Sequence, residues 1–430
     1  MTLSPEQVAA GRRNFLRTIA GVPAVAALGA ASAMKGPISG GRVRVGYIGL
    51  GGQGRALLTR ADHSTIDVKA LTDIRPDSLA AADGILQKAG QPPAKHYTEF
   101  KDMLQQEDIE AVIAAPPLWA HTDIVTACLD AGKHVLCEKM MAKTREGCQA
   151  MADAARRNHR VLEIGYQRNY NPVYRSAYEG VMKTGALGEI FHVRLVWARN
   201  GNWRRTQTPP SPDFNPSKWG YPTWEHLVNW RLYWKYSEGL YAELGSHQVN
   251  AANWFLGAKP ERVHAMGGVY RFKDGREVPD HVYATFEYPG GITGTFTSIE
   301  SNAFEERYEA FFGTKGTLII RGENEALLFE EGSGAAARPT GVDAAPQGPG
   351  ALLETSETKP AQSGGGAART AAPAGGAAAI SPNTYEINAF ASAIRCGTPL
   401  NCGPEKAAHS ASWTIAANES LRTGKIEKVL

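Results

Sequence analysis

One stretch, Arg42 to Arg55, constrains this chain more than any other. It reads Arg-Val-Arg-Val-Gly-Tyr-Ile-Gly-Leu-Gly-Gly-Gln-Gly-Arg. Val43, Val45 and Ile48 favour a strand, and the run ends in Gly49-x-Gly51-x-x-Gly54 before Ala56, Leu57 and Leu58 resume at helical composition. That pattern predicts strand, tight turn and helix. The first glycine makes the turn, the second lets backbone approach a pyrophosphate, and the third lets helix pack on strand. The helix amino terminus then offers free N–H groups and a positive dipole end to phosphate. A chain with 46 glycines matches such a triplet by chance, so context decides. A second apolar strand, Ile66 to Leu71, ends in Thr72-Asp73, about twenty residues on, where a carboxylate accepts hydrogen bonds from an adenosine ribose. The alternative is an aspartate capping the turn before Pro76. Asp73 would repel a ribose phosphate, which favours NAD over NADP, while the neighbouring Ile74-Arg75 leaves NADP open.

At 430 residues the chain is too long for one typical core, so two domains are expected. The net charge is +3, most of it in the first 33 residues, which excludes an electrostatic case for nucleic acid. Those residues read as a leader outside the fold. Gly11-Arg12-Arg13-Asn14-Phe15-Leu16-Arg17 precedes a mildly apolar run, Ile19 to Ala31, closed by the small residues Ala31-Ser32-Ala33. This resembles a bacterial twin-arginine export signal. The run is too short and too rich in Ala and Gly to be a stable membrane anchor. The expected location is the periplasm or outside the cell, reached in the folded state through the twin-arginine machinery. Five cysteines include no C-x-x-C pair; a Cys396–Cys402 disulfide competes with buried free thiols, the default. No histidine or cysteine grouping calls for a metal.

Helices at Pro76–Ala89, Phe100–Gln106, His121–Ala131 and Thr144–Asn158 alternate with strands at Ala94–Tyr97, Ile109–Ala115, His134–Cys137 and Val161–Ile164. This predicts a Rossmann doubly wound parallel sheet over 42–165, with ligands beyond the strand carboxyl ends. Glu138 and Lys139 fall at such an end. From Gly188 the strands alternate: Ile190–Ala198, Val263–Arg271, His281–Tyr288, Ile292–Ile299 and Tyr308–Arg321. They predict an α/β second domain over 166–430, built on a large, mostly antiparallel open sheet, with helices at Ser246–Phe255, Thr384–Arg395 and Pro404–Arg422. Residues 331–380 are dominated by Gly, Ala, Pro, Ser and Thr and read as a flexible low-complexity insertion.

Six segments together carry a resemblance: the glycine triplet, Asp73, Ala114-Ala-Pro116-Pro-x-x-x-His121, Glu138-Lys139, Gly165-Tyr-Gln-Arg168-x-x-x-Pro172 and Glu243-x-Gly245-x-His247-x-x-Asn250. The chain resembles the Gfo/Idh/MocA family of sugar and cyclitol oxidoreductases over about residues 42–325 and 384–430. Two departures stand out: Met140 replaces the proline of the family's Glu-Lys-Pro, and Glu243 and Asn250 stand where aspartates are usual.

Oxidising a secondary alcohol needs a base, a donor that fixes the oxygen and a nicotinamide face. His247 suits the base, because imidazole titrates near neutral pH. Lys139 suits the donor that stabilises developing negative charge. Glu243, one helical turn before His247, is expected either to orient it or to cap the helix. Gly49, Gly51, Gln53, Gly54, Asp73, Ile74, Arg75, Pro116, His121, Glu138 and Lys139 are the expected cofactor-binding set, with Arg168, Trp230 and Arg231 toward the nicotinamide end. His121 is expected to cap its helix near the ribose. The aromatics between Trp219 and Tyr241 suit either sugar stacking or core packing.

The resulting expectation is an exported NAD(P)-dependent oxidoreductase of sugars, sugar derivatives or cyclitols. Its cofactor is held tightly, because the periplasm lacks a free nicotinamide pool, and a homodimer or homotetramer is expected. The rivals are an NAD-dependent glycosidase working by transient oxidation and elimination, and a non-catalytic cofactor-binding protein.

Overall fold

The computed structural model describes residues 3–23, 39–331 and 380–430. The first sheet consists of β1 (Val43–Ile48), β2 (Ile66–Thr72), β3 (Lys95–Tyr97), β4 (Ala111–Ala114), β5 (His134–Glu138) and β6 (Leu162–Gly165). All pairings are parallel, in the order β3-β2-β1-β4-β5-β6. Helices cover both faces, so the central strands are apolar runs rather than alternating ones. Val43, Val45, Tyr47 and Ile113 pack on one side with Ile387 and Phe390, whereas Val112, Val135 and Cys137 pack on the other with Met151. Strand order reverses between β1 and β4, which opens a crevice at their carboxyl ends.

The second sheet has eight strands: β7 (Ile190–Asn200), β8 (Arg262–Gly268), β9 (His281–Glu287), β10 (Thr293–Ile299), β11 (Ser301–Gly313), β12 (Gly316–Arg321), β13 (Glu325–Glu330) and β14 (Glu427–Lys428). Their order is β13-β12-β11-β7-β10-β9-β8-β14, and only β7 and β10 run parallel. Helix Ser246–Leu256 and helix Pro404–Thr423 pack on its inner face through Val249, Phe255, Trp413 and Ala417.

Four departures from the expected elements have physical reasons. Tyr308–Arg321 is a hairpin rather than one strand, since Thr314-Lys315 turns the chain and Tyr308 pairs with Arg321. The strand expected to reach Arg271 ends at Gly268, because the Asp280 carboxylate collects the backbone N–H groups of Tyr270, Arg271 and Phe272. Helix Pro382–Cys396, grouped by sequence with the second domain, buries Ile387, Phe390 and Ala391 against the first sheet.

The leader, expected to lie outside the fold, is partly within it. Pro5–Ala20 is a helix started by a Ser4/Gln7 capping box. It lies on β13 with Gly11 against the Phe329 ring, Phe15 buried and Arg12 ion-paired to Glu325. Residues 24–38, which contain Ala31-Ser32-Ala33, and residues 332–379, nearly all of the low-complexity insertion, lie outside the described residues. Among the described residues, no helix is long and apolar enough to cross a membrane. The five cysteines are free thiols, and all but Cys396 are buried.

Candidate active site

A groove of about 1080 Å³ runs from the β1 glycine turn, across the carboxyl ends of β4 and β5, to helix Ser246–Leu256. That exceeds an ordinary small-ligand pocket and suits a dinucleotide with a further ligand beside it. Gly49 has φ +85°, and a Cβ there would meet the Ala115 and Pro116 backbone at 2.7–2.8 Å. A Cβ on Gly54 would come within 1.9 Å of the Gly49 carbonyl oxygen, so Gly54 seats helix Gly52–Arg60 against the turn and lies beneath the groove. Gly51 and Gly52 have open space above them, and no side chain caps this helix. Bare amides facing a wide groove fit a diphosphate.

The Asp73 carboxylate accepts from the backbone N–H groups of Leu50 (2.6 Å) and Arg75 (2.8 Å). It therefore ties the glycine turn to β2 while still lining the groove with Ile74 and Arg75. Burial raises its pKa, and those two N–H bonds oppose the rise. Arg75 is ion-paired to Asp77 and lies over the Trp224 ring. Gln53 donates to Glu138 (2.7 Å), whose other oxygen accepts from Lys139 N (3.1 Å), so Glu138 aligns its neighbours from a buried position.

His121 does not reach toward a ribose by capping its helix. Its Nδ1 lies 2.9 Å from the Met140 carbonyl and its Nε2 3.1 Å from that of Pro116, so the ring sits between the turns after β4 and β5 and, when neutral, donates to one of them. Burial lowers its pKa. The peptide between Lys139 and Met140 is cis.

At the far end of the groove Lys139 Nζ donates to the Glu243 carbonyl oxygen (2.9 Å) and lies 3.9 Å from its carboxylate. Arg231 Nε donates to that carboxylate at 2.8 Å, and its guanidinium lies 4.3 Å from the Trp230 ring centre. Burial would raise the pKa of Glu243, but Arg231 and Lys139 outweigh it and hold the group below the ordinary value. Glu243 therefore does not orient His247. It belongs to a π-turn, Tyr241–Gly245, ahead of helix Ser246–Leu256, and this wider turn moves it off the histidine's face. His247 is instead held between the edge of Tyr166 and the face of Trp197, with Nδ1 unpartnered among the described residues. Burial, then the charges of Lys139, Arg168 and Arg307, keep its pKa well below the imidazole norm.

Arg168 does not enter the groove. It is buried behind it, bonded to Glu309 and Glu323, with Tyr174 donating to Glu309. The aromatic segment divides: Trp219, Tyr221 and Trp230 line the groove, while Tyr233, Tyr236 and Tyr241 are packed away from it. Sequence reasoning missed Trp197, Arg199, Trp203 and Arg205, which also line it. Trp197 and Arg199 alternate at the end of β7, which was the available signal; Trp203 and Arg205 lie in the segment after it, where no periodicity marks them. Among the described residues, no group of three or more His, Cys, Asp or Glu could hold a metal ion.

A parallel sheet with a phosphate-ready glycine turn, an acidic ribose position and a lysine–histidine end defines a dinucleotide-dependent oxidoreductase. Comparison with known proteins makes the class specific. Residues 43–166 match the profile of the oxidoreductase family with an NAD-binding Rossmann fold, and residues 177–319 match the GFO/IDH/MocA C-terminal domain. The chain belongs to the GFO/IDH/MocA family, and its N-terminal domain is an NAD-binding Rossmann domain. It is 31% identical over 154 residues to a glycosyl hydrolase family 109 protein of Phocaeicola vulgatus, a match spanning 35% of this chain and 37% of that protein. It is 25% identical over 281 residues to an inositol 2-dehydrogenase of Rubrobacter xylanophilus, spanning 65% and 71%. In fold it is similar to the aldose-aldose oxidoreductase of Caulobacter crescentus (TM-score 0.66, 21% identity, 90% and 99% of the two chains). It is likewise similar to a levoglucosan dehydrogenase (TM-score 0.68, 18% identity, 91% and 99%).

Proposed function

We propose that the protein exchanges hydride between NAD and a secondary alcohol of a sugar, sugar derivative or cyclitol. The observation that carries this reading is the meeting of Lys139, Glu243, Arg231 and His247 at one end of a dinucleotide-sized groove. When bound, NAD supplies the hydride acceptor. Gly49, Gly51, Asp73 and Arg75 would hold its adenosine and phosphate half, while Trp230 and Arg231 flank the other end. Lys139 donates to the reacting oxygen and stabilises its negative charge, held in place by the Glu243 carbonyl. His247, neutral because burial and Lys139 disfavour its imidazolium, accepts the hydroxyl proton. The test is a panel of sugars and cyclitols incubated with the full chain, reading reduced nicotinamide and the ketone or lactone formed. NAD binding without turnover of any member would leave only a cofactor-binding protein.

The matches to family 109 hydrolases favour a second reading, in which oxidation is transient. The oxidised sugar loses its aglycone by elimination, gains water and is reduced again. Chromogenic glycosides without added NAD discriminate: aglycone release with solvent deuterium on the sugar supports the hydrolase, and net ketose or lactone supports the dehydrogenase.

Three expectations complete the proposal. NAD over NADP follows from Asp73. Export follows from the paired arginines, and is tested by fractionating cells that express the Arg12→Lys/Arg13→Lys double variant. Assembly into a homodimer or homotetramer is read by light scattering.

A further inference from the structure

The second domain sends a short segment, residues 201–208, from the end of β7 along the groove wall, and its charges are unequally matched. Arg204 bonds Asp274 and ion-pairs with Glu225, and Arg199 pairs with Glu300. Arg205, which lines the groove, makes no side-chain hydrogen bond or ion pair among the described residues. Its backbone is nevertheless fixed: Arg205 N donates to Asn229 Oδ1 (2.7 Å), and Asn229 Nδ2 donates back to the Arg205 carbonyl (3.1 Å). Two residues on, Gln207 Oε1 accepts from Arg75 (2.7 Å) and its carbonyl accepts from Trp224 Nε1 (2.6 Å). The segment is thus stitched to both domains, with Arg205 between the stitches.

The charges around Arg205 describe the missing partner. Arg231, Arg55 and Arg75 repel it, and the nearby carboxylate of Glu243 is already held by Arg231 and Lys139. Enclosure by the groove, followed by the repulsion from Arg231, pushes its pKa down to about 10. Arg75 has Asp77, and among the described residues Arg55 donates only to the Leu50 carbonyl (2.8 Å). Two guanidinium groups, Arg55 and Arg205, therefore flank the groove without a carboxylate in contact, one from each domain. A dianionic, multi-oxygen group between them would balance the charge and accept forked hydrogen bonds.

We propose that Arg205 is a diphosphate anchor supplied by the second domain, and that residues 201–208 form a strap which, through Gln207 and Arg75, holds the dinucleotide in the groove. The proposal rests on the NAD reading above and adds to it a reason for slow release: the cofactor is gripped from both domains, so leaving requires the Arg75–Gln207 bond to open.

The test compares full-length wild type, Arg205→Gln, Arg205→Lys and Gln207→Ala by calorimetric titration with NAD, ADP and adenosine, and by the NAD retained after prolonged dialysis. Removing a charged hydrogen-bond donor should weaken NAD and ADP about ten- to hundredfold, leave adenosine unchanged, and be partly restored in Arg205→Lys. Gln207→Ala should speed NAD loss on dialysis. Equal NAD and ADP affinities in wild type and Arg205→Gln would overturn the anchor, as would an equal loss of adenosine affinity, which would mark a general distortion. An unchanged rate of NAD loss in Gln207→Ala would overturn the strap. Failure of wild type itself to bind NAD would instead overturn the underlying functional reading.

Discussion

Two ion clusters, one buried and one partly open to the groove, both act on His247 and do opposite things. Behind the groove, Arg168 is saturated by Glu309 and Glu323, with Tyr174 completing Glu309 and the Trp197 and Tyr174 rings over its guanidinium. Burial opposes its charge, yet Glu309, Tyr174 and Glu323 together more than compensate, and the cation is locked. In the groove, Arg231 and Lys139 share the single carboxylate of Glu243, so cationic donors remain for a ligand. The first cluster is closed and joins β11 to the segment after β6; the second is open and faces chemistry. A buried arginine is therefore no sign of a site by itself. What matters is whether its donors are spent.

The contrast can be broken experimentally. The largest effects belong to the open cluster: Lys139→Ala should lower kcat by about 10²–10³ and His247→Ala by about 10²–10⁴, with NAD titration and melting curves near wild type. A large loss of stability in either variant would assign it to the scaffold instead. In the closed cluster, Arg168→Met strands the Glu309 carboxylate and should cost about 3–5 kcal/mol in denaturant unfolding, while the folded fraction keeps its NAD affinity. A selective loss of NAD binding there would return Arg168 to the site.

A smaller effect concerns pH. Since His247 titrates well below the imidazole norm partly because Lys139 is charged, the acid limb of kcat/KM should lie below about 6.5, and Lys139→Met should move it upward in whatever activity survives. An unshifted limb would show that the two side chains do not sense each other.

The smallest effect concerns a buried acid pair with no cation paired to it among the described residues. Glu163 on β6 and Glu386 on helix Pro382–Cys396 are both fully buried, and burial raises both values, with Glu163 adding to the rise at Glu386. A carboxyl whose folded pKa is raised contributes its stability below the unfolded value of about 4.3, and that contribution is lost as pH climbs toward the folded one. Glu163→Gln should therefore flatten the decline of Tm between mildly acidic and mildly alkaline pH, by a few degrees at most. A slope identical to wild type would mean that the carboxyl does not titrate in that window.

Much of this was readable beforehand where local chemistry dictates geometry. The glycine turn, Asp73 and the Glu138-Lys139 strand end each combine a residue type with a backbone demand, and each lies on the groove. Arg168 misled because its partner comes from a distant segment. Glu309 is 141 residues beyond Arg168, and no spacing rule connects them. The Glu243–His247 reading assumed regular helix, whereas the chain inserts a π-turn. Arg205 was passed over because an arginine pair in a loop carries no periodic signal. Pro5–Ala20 was read as part of a leader from Arg12-Arg13 and the apolar run after them, although Gly11 and Phe15 also suit it to lie on β13.

The π-turn at Tyr241–Gly245 has a consequence for substitution at position 243. Because it places Glu243 and His247 in separate circuits, substitution of the glutamate can retune the lysine's charge environment without swinging the imidazole ring.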